Sequence, residues 1–296
     1  MPNTAESLCL RLVGSKRRRR GKPLLRAVAA LVGLLISLPQ VAAQQATGAK
    51  PDYKSEPDLA GLLAATKGMR MTRVEPGLSV GVVAYPPFGI RIHVFDFARD
   101  RFVLRVAEQR AETGNRAPEF LAGKDDVFVI NGGYFERTRR GKLSSSGLLI
   151  VDGQIVAREH ERAGSGVVTS GRDGIGITYR KNFTDRSGVS HALQAGPILV
   201  DPGGIKGIYK VDKRYNRSAL CLRGSSFTAF VVEGGISLFQ LADLLSLPEA
   251  EGGFGCDIAI NLDGGPSTQA ALRAGSAQAE IPGEWTVHNA LIVSRK

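Results

Sequence analysis

Short apolar runs separated by glycine dominate the chain from about residue 73 onward. Runs of four to six residues that are rich in Val, Ile and Phe and bounded by turn residues are typical of β-strands. The sequence has 36 glycines, many of them paired at the ends of these runs, where they let the backbone approach another group closely. Eleven runs are predicted as strands: residues 79–84, 90–95, 102–107, 127–130, 147–151, 175–179, 198–200, 219–222, 228–232, 258–262 and 290–293.

Helical patterns are few in the same region. Residues 237–245 place apolar side chains at helical spacing after Ser237, which is a suitable N-cap, and residues 118–124 could form two turns. Because strands outnumber helices, the sequence predicts an α+β domain built on a large sheet that is mainly antiparallel or mixed.

The N-terminal residues have the order of a secretion signal. A basic cluster at residues 16–22 precedes an apolar stretch at residues 27–38, and small residues follow at 41–43. About a dozen apolar residues are too few to span a bilayer, which takes about 20. The sequence therefore predicts an exported protein, periplasmic or extracellular, with no stable membrane span after signal cleavage.

Three segments follow from this organisation. Residues 1–43 are predicted as a signal peptide and residues 44–72, which are polar and alanine-rich, as a linker with one short helix at 58–67. Residues 73–296, about 220 in number, are enough for one domain with a full core.

The positive charge of the chain lies mostly in the predicted signal. The formal net charge is +11, but residues 1–50 hold nine Lys/Arg and one Glu, which leaves about +3 for the rest. The longest basic cluster that remains is in the 137–142 loop, with Arg137, Arg139, Arg140 and Lys142. Nucleic acid is therefore not a predicted partner.

Two cysteines remain after the predicted signal, which contains Cys9. Cys221 and Cys256 both lie in apolar, strand-like stretches, so we expect two buried thiols. A Cys221–Cys256 disulfide is the alternative in an exported protein, since disulfides persist outside the cytoplasm.

Two predicted strands end in the same way. Asn131 is followed by Gly132 and Gly133, and Asp263 is followed by Gly264 and Gly265. A buried strand that ends in Asn or Asp delivers that side chain to the rim of the sheet. Consecutive glycines can leave backbone amides bare, and such amides form an anion site, to which the hydroxyl of Ser267 adds a donor. The pattern indicates a site for a phosphate beside a carboxylate, although Asn-Gly and Asp-Gly are also common turns.

Four motifs in order resemble the phosphodiester glycosidase family. They are Asn131-Gly132-Gly133-Tyr134-Phe135, Leu193-Gln194-Ala195-Gly196-Pro197-Ile198-Leu199-Val200, Arg217-Ser218-Ala219 in the segment from Arg214, and Asn261-Leu262-Asp263-Gly264-Gly265-Pro266-Ser267. The resemblance covers about residues 73–296. It implies hydrolysis of a sugar-1-phosphodiester at the glycosidic bond, with a sugar-phosphate or other glycoconjugate as substrate.

The reaction that this resemblance implies assigns roles to particular side chains. Cleavage of a sugar from phosphate needs carboxyl groups near the sugar and donors for the leaving phosphate. Asp263 is the first candidate carboxylate, Glu233 is the second, and Asn131 is expected to bind the sugar or orient a carboxylate. Predicted substrate-binding residues are Arg217, Arg214, Gly132, Gly133, Gly264, Gly265, Ser267, Gln194 and His288.

Two other functions remain open at this point. The four histidines are scattered without metal-ligand spacing, so no metal or other cofactor is predicted. A metal-dependent phosphodiesterase, with a cation held by Asp263, Glu233, Asp257 and Asp201, is nevertheless the second hypothesis. A non-catalytic glycan-binding protein is the third, because a fold and its motifs do not prove turnover.

Overall fold

Antiparallel β-strands make up most of the structure. The computed structural model describes residues 55–109 and 111–296, so the predicted signal peptide lies outside the described residues. Twenty strands and three α-helices occur within these ranges. The helices are α1 (Leu59–Lys67), α2 (Ala117–Phe120) and α3 (Leu238–Ser246). The strands are β1 (Thr72–Glu75), β2 (Leu78–Tyr85), β3 (Ile90–Ala98), β4 (Phe102–Glu108), β5 (Asp126–Asn131), β6 (Phe135–Arg137), β7 (Leu143–Ser145), β8 (Leu149–Val151), β9 (Gln154–Ala157), β10 (Gly166–Gly171), β11 (Gly174–Tyr179), β12 (Val189–Ala195), β13 (Ile198–Asp201), β14 (Ile205–Lys206), β15 (Tyr215–Arg223), β16 (Ser226–Ile236), β17 (Ile258–Asn261), β18 (Ala270–Ala274), β19 (Ala277–Ile281) and β20 (Asn289–Arg295).

The strands form three large sheets and one short hairpin. The largest sheet has eight strands in the order β1-β2-β3-β16-β15-β17-β13-β14, and two five-stranded sheets have the orders β19-β18-β5-β20-β4 and β11-β10-β12-β8-β9. Strands β6 and β7 pair with each other. Every strand pair between residues 72 and 295 that the structure describes is antiparallel. The predicted α+β fold with a mainly antiparallel sheet and few helices is confirmed.

Two apolar layers hold the sheets in place. One face of the eight-stranded sheet packs with both five-stranded sheets around a shared core, in which Phe97 stacks on Phe227 with ring centroids 5.1 Å apart and lies 5.3 Å from Phe128. Its other face is covered by α1 and α3, which bury Leu62 and Leu241 completely. The sheet is therefore buried on both faces, so the ends of its central strands are held rigidly.

The two longer helices form where the sequence predicts them. Helix α3 begins after Ser237, whose hydroxyl accepts a hydrogen bond from the Gln240 amide at 3.1 Å. Asp58 caps α1 in the same way through the Gly61 amide at 2.9 Å. The helix predicted at 118–124 is a single turn, α2, because Asp126 binds the Gly123 amide at 2.7 Å and starts β5.

Each of the eleven predicted runs coincides with or overlaps an observed strand, and the strands that the prediction missed are short, polar or rich in Ala and Gly. Strand β12 is an example: it has the sequence VSHALQA and buries His191 and Gln194. Those two polar side chains break the apolar alternation of the strand. Other segments of the fold provide their hydrogen-bond partners.

Cys221 and Cys256 form a disulfide bond that joins β15 to the segment before β17. Both residues are buried, and their Cα atoms lie 5.7 Å apart. The expectation of two free thiols is therefore wrong for this pair.

None of the helices within residues 55–109 and 111–296 has the length and apolar character needed to span a bilayer. The described residues all belong to one compact unit, Gln45–Lys296. The boundaries at residues 43 and 72 stay predictions.

Candidate active site

The ends of β5 and β17 meet at one point of the fold. The Asp263 amide donates to the Gly132 carbonyl at 2.9 Å, and the Asn131 side-chain amide donates to the Asp263 carbonyl at 2.8 Å. Strand β15 joins them, because the Ser218 hydroxyl donates to Asn131 Oδ1 at 2.6 Å. Asn131 is thus a fully bonded connector that fixes the backbone of Asp263.

The segment around Gly196 closes the cluster. The Tyr134 hydroxyl donates a hydrogen bond to the Gly196 carbonyl, and Asn261 Nδ2 donates to the same oxygen at 2.9 Å. The Gly196–Pro197 peptide bond is cis. All four motifs, which lie far apart along the chain, therefore come together.

Asp263 is half-buried in this cluster. Its Oδ1 accepts a hydrogen bond from its neighbour's amide, that of Gly264, at 2.9 Å. Burial raises the pKa of the Asp263 carboxyl above its ordinary value of 3.8, and hydrogen bonds from the Ser267 side chain and the Gly264 amide offset part of this shift. A carboxyl group whose pKa is moved toward neutrality by its surroundings is typical of acid–base sites.

Tyr134 connects this acid to a cleft of about 700 Å³. Burial, followed by the nearby charge of Asp263, raises the pKa of the Tyr134 hydroxyl. Tyr134 lines the cleft together with Gly196, Pro197 and a cationic rim, which comprises Arg162, Arg180 and Lys181. The cleft suits an anionic ligand, because only one acid, Glu161, lies among its lining residues.

Arg217 is a buried cation next to the Asp263 turn. Its Nε donates to the Ile236 carbonyl at 3.1 Å, and its Nη2 donates to the Asp212 carboxylate and to the Lys213 carbonyl. Burial lowers the pKa of the Arg217 guanidinium, and Asp212 offsets part of the shift. Nη1 makes no hydrogen bond to any described residue, so one edge of the guanidinium remains available to a ligand.

The first glycine pair does not provide bare amides. The Gly132 amide donates to the Asn289 carbonyl at 3.0 Å and the Gly133 amide to Asn289 Oδ1 at 2.7 Å. A Cβ atom would lie 2.1 Å from Asn289 Oδ1 at position 132 and 2.4 Å from the Gln194 carbonyl at position 133. These glycines allow close packing and are not an anion site, which corrects the prediction for both.

The second glycine pair retains one free donor. The Gly264 amide binds the Asp263 carboxylate, whereas the Gly265 amide donates to no described residue. Gly265 has φ of +58°, and a Cβ there would meet nothing within 4 Å, so there is open space on the Cβ side of this turn. Of the four glycine amides in the predicted anion site, that of Gly265 is the one without a partner among the described residues. It lies two residues before the buried Ser267.

Gln194 is not placed to bind a sugar. Its Oε1 accepts hydrogen bonds from the amides of Leu148 and His160, both at 3.0 Å. Its Nε2 donates to the carbonyls of His160 and Gly164 at 2.6 and 2.9 Å. Its amide is saturated by backbone groups, so Gln194 holds loops together.

Arg214 likewise makes structural hydrogen bonds, and its assignment to phosphate binding stays a prediction. Its Nε and Nη2 each donate at 3.0 Å, to the carbonyls of Gly235 and Gly234, and its guanidinium lies 4.8 Å from the centre of the Phe88 ring. These bonds hold the turn at the end of β16, where both glycines have positive φ.

Glu233 lies at the same end of the sheet as Asp263 but in different surroundings. It is on β16, two strands from β17, which is roughly 10 Å at the usual spacing. His93 Nε2 lies 2.7 Å and Arg91 3.9 Å from its carboxylate, and the hydrogen bond with His93 lowers the pKa of Glu233. Glu233 stays a candidate, but as an ionised acid.

His288 is buried and makes its described contacts with Glu108 and Asn289. Its Nε2 lies 3.4 Å from Glu108, and burial lowers its pKa to about 4. It is therefore neutral at ordinary pH, and its neighbour Asn289 makes the contacts to the glycine pair. His288 is not among the residues that line the 700 Å³ cleft, and its assignment to substrate binding stays a prediction.

Sequence reasoning assigned no role to four residues that build the site, although the first three lie in the quoted motifs: Tyr134, Ser218, Asn261 and Asn289. Asn261 is the clearest case, because its Oδ1 is buried without a partner among the described residues. A polar residue that ends the apolar run at 258–260 could have signalled it. No local pattern marks Asn289, which acts on a turn more than 150 residues away.

The four acids of the metal hypothesis do not converge. Asp201 accepts a hydrogen bond from the Tyr179 hydroxyl, and Asp257 accepts one from the Gly224 amide at 2.7 Å. Glu233 pairs with His93, and Asp263 is bonded within its own turn. In the part of the chain that the structure describes, no three His, Cys, Asp or Glu residues are grouped to hold a metal ion.

The sequence profile of the phosphodiester glycosidase family matches residues 124–294, which is more than half of the chain, and the protein belongs to that family. No curated protein sequence matches the chain significantly.

Two solved structures match the chain. The catalytic domain of zebrafish N-acetylglucosamine-1-phosphodiester alpha-N-acetylglucosaminidase, described as auto-inhibited by its pro-peptide, is 17% identical with a TM-score of 0.55, over 77% of this chain and 88% of that one. A hypothetical protein from Synechocystis is 16% identical with a TM-score of 0.49, over 77% of this chain and 64% of that one. At these identities, the likeness to the zebrafish domain supports the fold alone.

Proposed function

We propose that this protein hydrolyses the glycosidic bond of a sugar-1-phosphodiester and releases a free sugar and a phosphomonoester. The observation that carries the proposal is the position of Asp263. Its half-buried carboxyl has a raised pKa and stands on the turn that packs against Arg217, where Gly264 approaches the Arg217 backbone and side chain. Family membership supplies the reaction class, and this geometry supplies the residues.

Charge develops in opposite senses on the two sides of the bond that breaks. The sugar carbon becomes positive, and the departing phosphate gains negative charge. The carboxylate of Asp263 stabilises the sugar carbon, while Arg217 Nη1 and the Gly265 amide donate hydrogen bonds to the phosphate oxygens. Asn131 contributes indirectly, because it fixes the Asp263 backbone before substrate arrives.

The scissile sugar binds in the 700 Å³ cleft beside Tyr134. This volume is ample for one sugar ring, and the cleft has hydrogen-bond donors on its cationic rim. Asn261 Nδ2 lies 3.3 Å from the Tyr134 hydroxyl, and Asn261 Oδ1 is buried without a hydrogen-bond partner among the described residues.

Hydrolysis in ¹⁸O-labelled water tests the proposal. A panel of sugar-1-phosphodiesters that includes those of glucose and N-acetylglucosamine is incubated with the enzyme. The masses of the products are then measured by mass spectrometry. A glycosidase places the label in the sugar. Label in the phosphomonoester instead would mean attack at phosphorus, the reaction of a phosphodiesterase.

Removal of metal distinguishes the proposed glycosidase from the second hypothesis, a metal-dependent phosphodiesterase. Exhaustive chelation is expected to leave turnover unchanged, because the proposed chemistry uses only side chains and backbone. Turnover that is lost on chelation and restored by a divalent cation would favour the metal-dependent phosphodiesterase. A ligand that binds but stays uncleaved over hours would favour a glycan-binding protein.

We also propose that the protein is exported. The basic and then apolar N-terminal sequence and the Cys221–Cys256 disulfide support this location. N-terminal sequencing of protein from the cell envelope or medium is expected to begin near residue 44. Protein found in the cytoplasm with residues 1–43 attached would contradict the proposal.

A further inference from the structure

Exposed apolar side chains are concentrated in residues 205–215. Nine large apolar side chains within residues 55–109 and 111–296 are exposed, and four of them lie in this short stretch: Ile205, Tyr209, Val211 and Tyr215. Tyr209 has 73% of its surface exposed and Val211 has 60%. Single exposed apolar residues are ordinary, but a group of them on one surface loop marks an interaction site.

The loop that carries these side chains is fixed on both sides of its tip, residues 209–211. Before the tip, the Gly207 amide donates a hydrogen bond to the Leu199 carbonyl at 2.8 Å. After the tip, Asp212 Oδ1 accepts a hydrogen bond from the Leu238 amide at 2.6 Å, at the start of α3. The exposed tip therefore stands on a fixed base.

The exposed charges of this loop are positive. Lys210 and Lys213 are exposed, and neither forms a salt bridge with a described residue. Asp212 is the single acid between residues 205 and 215, and its carboxylate is paired with the Arg217 guanidinium. The loop thus presents apolar side chains interleaved with uncompensated lysines.

The same loop borders the candidate active site. Ile205 pairs in register with Asp201, whose carboxylate accepts a hydrogen bond from the hydroxyl of Tyr179, a residue that lines the 700 Å³ cleft. At the other end of the stretch, Tyr215 lines a pocket of about 410 Å³ together with Gly265. A partner that covers this loop therefore lies beside the site.

We propose that residues 205–215 bind the surface of a bilayer that contains anionic lipids. Tyr209 and Val211 enter the headgroup region, and Lys210 and Lys213 lie against the lipid phosphates. Tyrosine suits this position, because its ring is apolar and its hydroxyl stays in water.

The charges select the lipid surface over a second copy of the chain, since the lysines of two copies would repel each other across a shared interface. Each lysine at an anionic surface strengthens binding about fivefold. Few apolar side chains are available, so the attachment is peripheral and reversible. The proposal goes beyond the proposed function, because it does not depend on which bond the protein cleaves.

Vesicle binding tests this surface, with protein isolated from the cells that make it and with the N-terminus that they leave on it. Vesicles of phosphatidylcholine alone are compared in sedimentation with vesicles that are about one-third phosphatidylglycerol. The wild-type protein is expected to bind the anionic vesicles at least tenfold more tightly. Concentrated salt should remove most of this preference, because it screens the lysines.

Two double variants separate the apolar and the charged contributions. Tyr209→Ser with Val211→Ser should weaken binding to the anionic vesicles at least tenfold. Lys210→Gln with Lys213→Gln should bind both kinds of vesicle equally. All four positions are exposed, so the thermal unfolding midpoints should match that of the wild type.

The matched control is Ile155→Ser with Val156→Ser, an exposed apolar pair on β9, which should bind vesicles like the wild type. Equal wild-type binding to both kinds of vesicle, or anionic binding that survives the change at Tyr209 and Val211, overturns the proposal. Dimerisation in light scattering that the same change abolishes also overturns it, because the loop would then join two copies. Vesicle binding needs no substrate, so this outcome is independent of the proposed function.

Discussion

The side-chain amide of Asn131 donates a hydrogen bond to the backbone carbonyl of Asp263 at 2.8 Å, across 132 residues of sequence. Asn131 also accepts hydrogen bonds from the Ser218 hydroxyl and the Gln269 amide, so it ties three segments together. The position of the candidate carboxylate is thereby set by a buried amide on another sheet.

Asn131→Ala should destabilise the fold and weaken catalysis together. It removes the partner of the Asp263 carbonyl, the Ser218 hydroxyl and the Gln269 amide, which costs about 2–4 kcal/mol of unfolding free energy. Urea unfolding of this variant measures the loss, and Asn182→Ala, at an exposed position, is the control. An unfolding free energy equal to that of the control would show that the connection does not hold the site.

Ionisation of Asp263 should make the folded protein less stable as pH rises. Because burial raises its pKa, the folded state binds more protons than the unfolded state between pH 3.8 and the folded pKa. The contribution to stability therefore falls through that window and stays low above it. Asp263→Asn should accordingly increase the unfolding free energy at neutral pH relative to wild type, in denaturant titrations at several pH values. A variant less stable than wild type at neutral pH would contradict the raised pKa.

Arg217 and Arg214 should respond differently to replacement by lysine. Arg217→Lys keeps the charge but loses the edge donor Nη1, so kcat/KM should fall about 10- to 100-fold. Arg214→Lys should cost about 1–3 kcal/mol of stability and leave kcat/KM of the folded fraction within twofold. Kinetics and thermal unfolding of both variants decide this, and the reverse pattern would exchange the two roles.

The disulfide closes a loop between residues 35 apart in sequence. Its loss in the double variant Cys221→Ser, Cys256→Ser should lower the unfolding free energy by about 3–4 kcal/mol, because the unfolded chain gains freedom. Titration of denatured, unreduced protein should detect no free thiol at these two positions. Two reactive thiols there would mean that the bond does not form in the native protein.

The sequence was sufficient to predict the elements that depend on neighbouring residues. The apolar runs became strands, and Ser237 and Asp58 cap α3 and α1 as local chemistry requires. The ordered motifs also predicted a single site, because polar side chains at the ends of buried strands must emerge at the rim of the sheet. These predictions needed no knowledge of distant partners.

The errors arose where a distant segment uses the hydrogen-bonding groups of a motif. The amides of Gly132 and Gly133 looked available but are occupied by Asn289, and Gln194 is saturated by two loops that no local pattern connects to it. The Gly265 amide donates to no described residue, because the segment that packs on its turn bonds the carbonyl of Pro266 instead. Which glycine pair binds an anion is therefore a property of tertiary packing.

The most direct test of the central claim is release of free sugar by Asp263→Asn. The variant should fold like wild type and lose at least about 1,000-fold in kcat on the best sugar-1-phosphodiester of the panel, because it removes the carboxylate that stabilises the sugar carbon. Asp173→Asn, at an exposed turn, should retain full activity. Sugar release by Asp263→Asn at a rate near that of wild type would show that the reaction is carried out elsewhere on the protein.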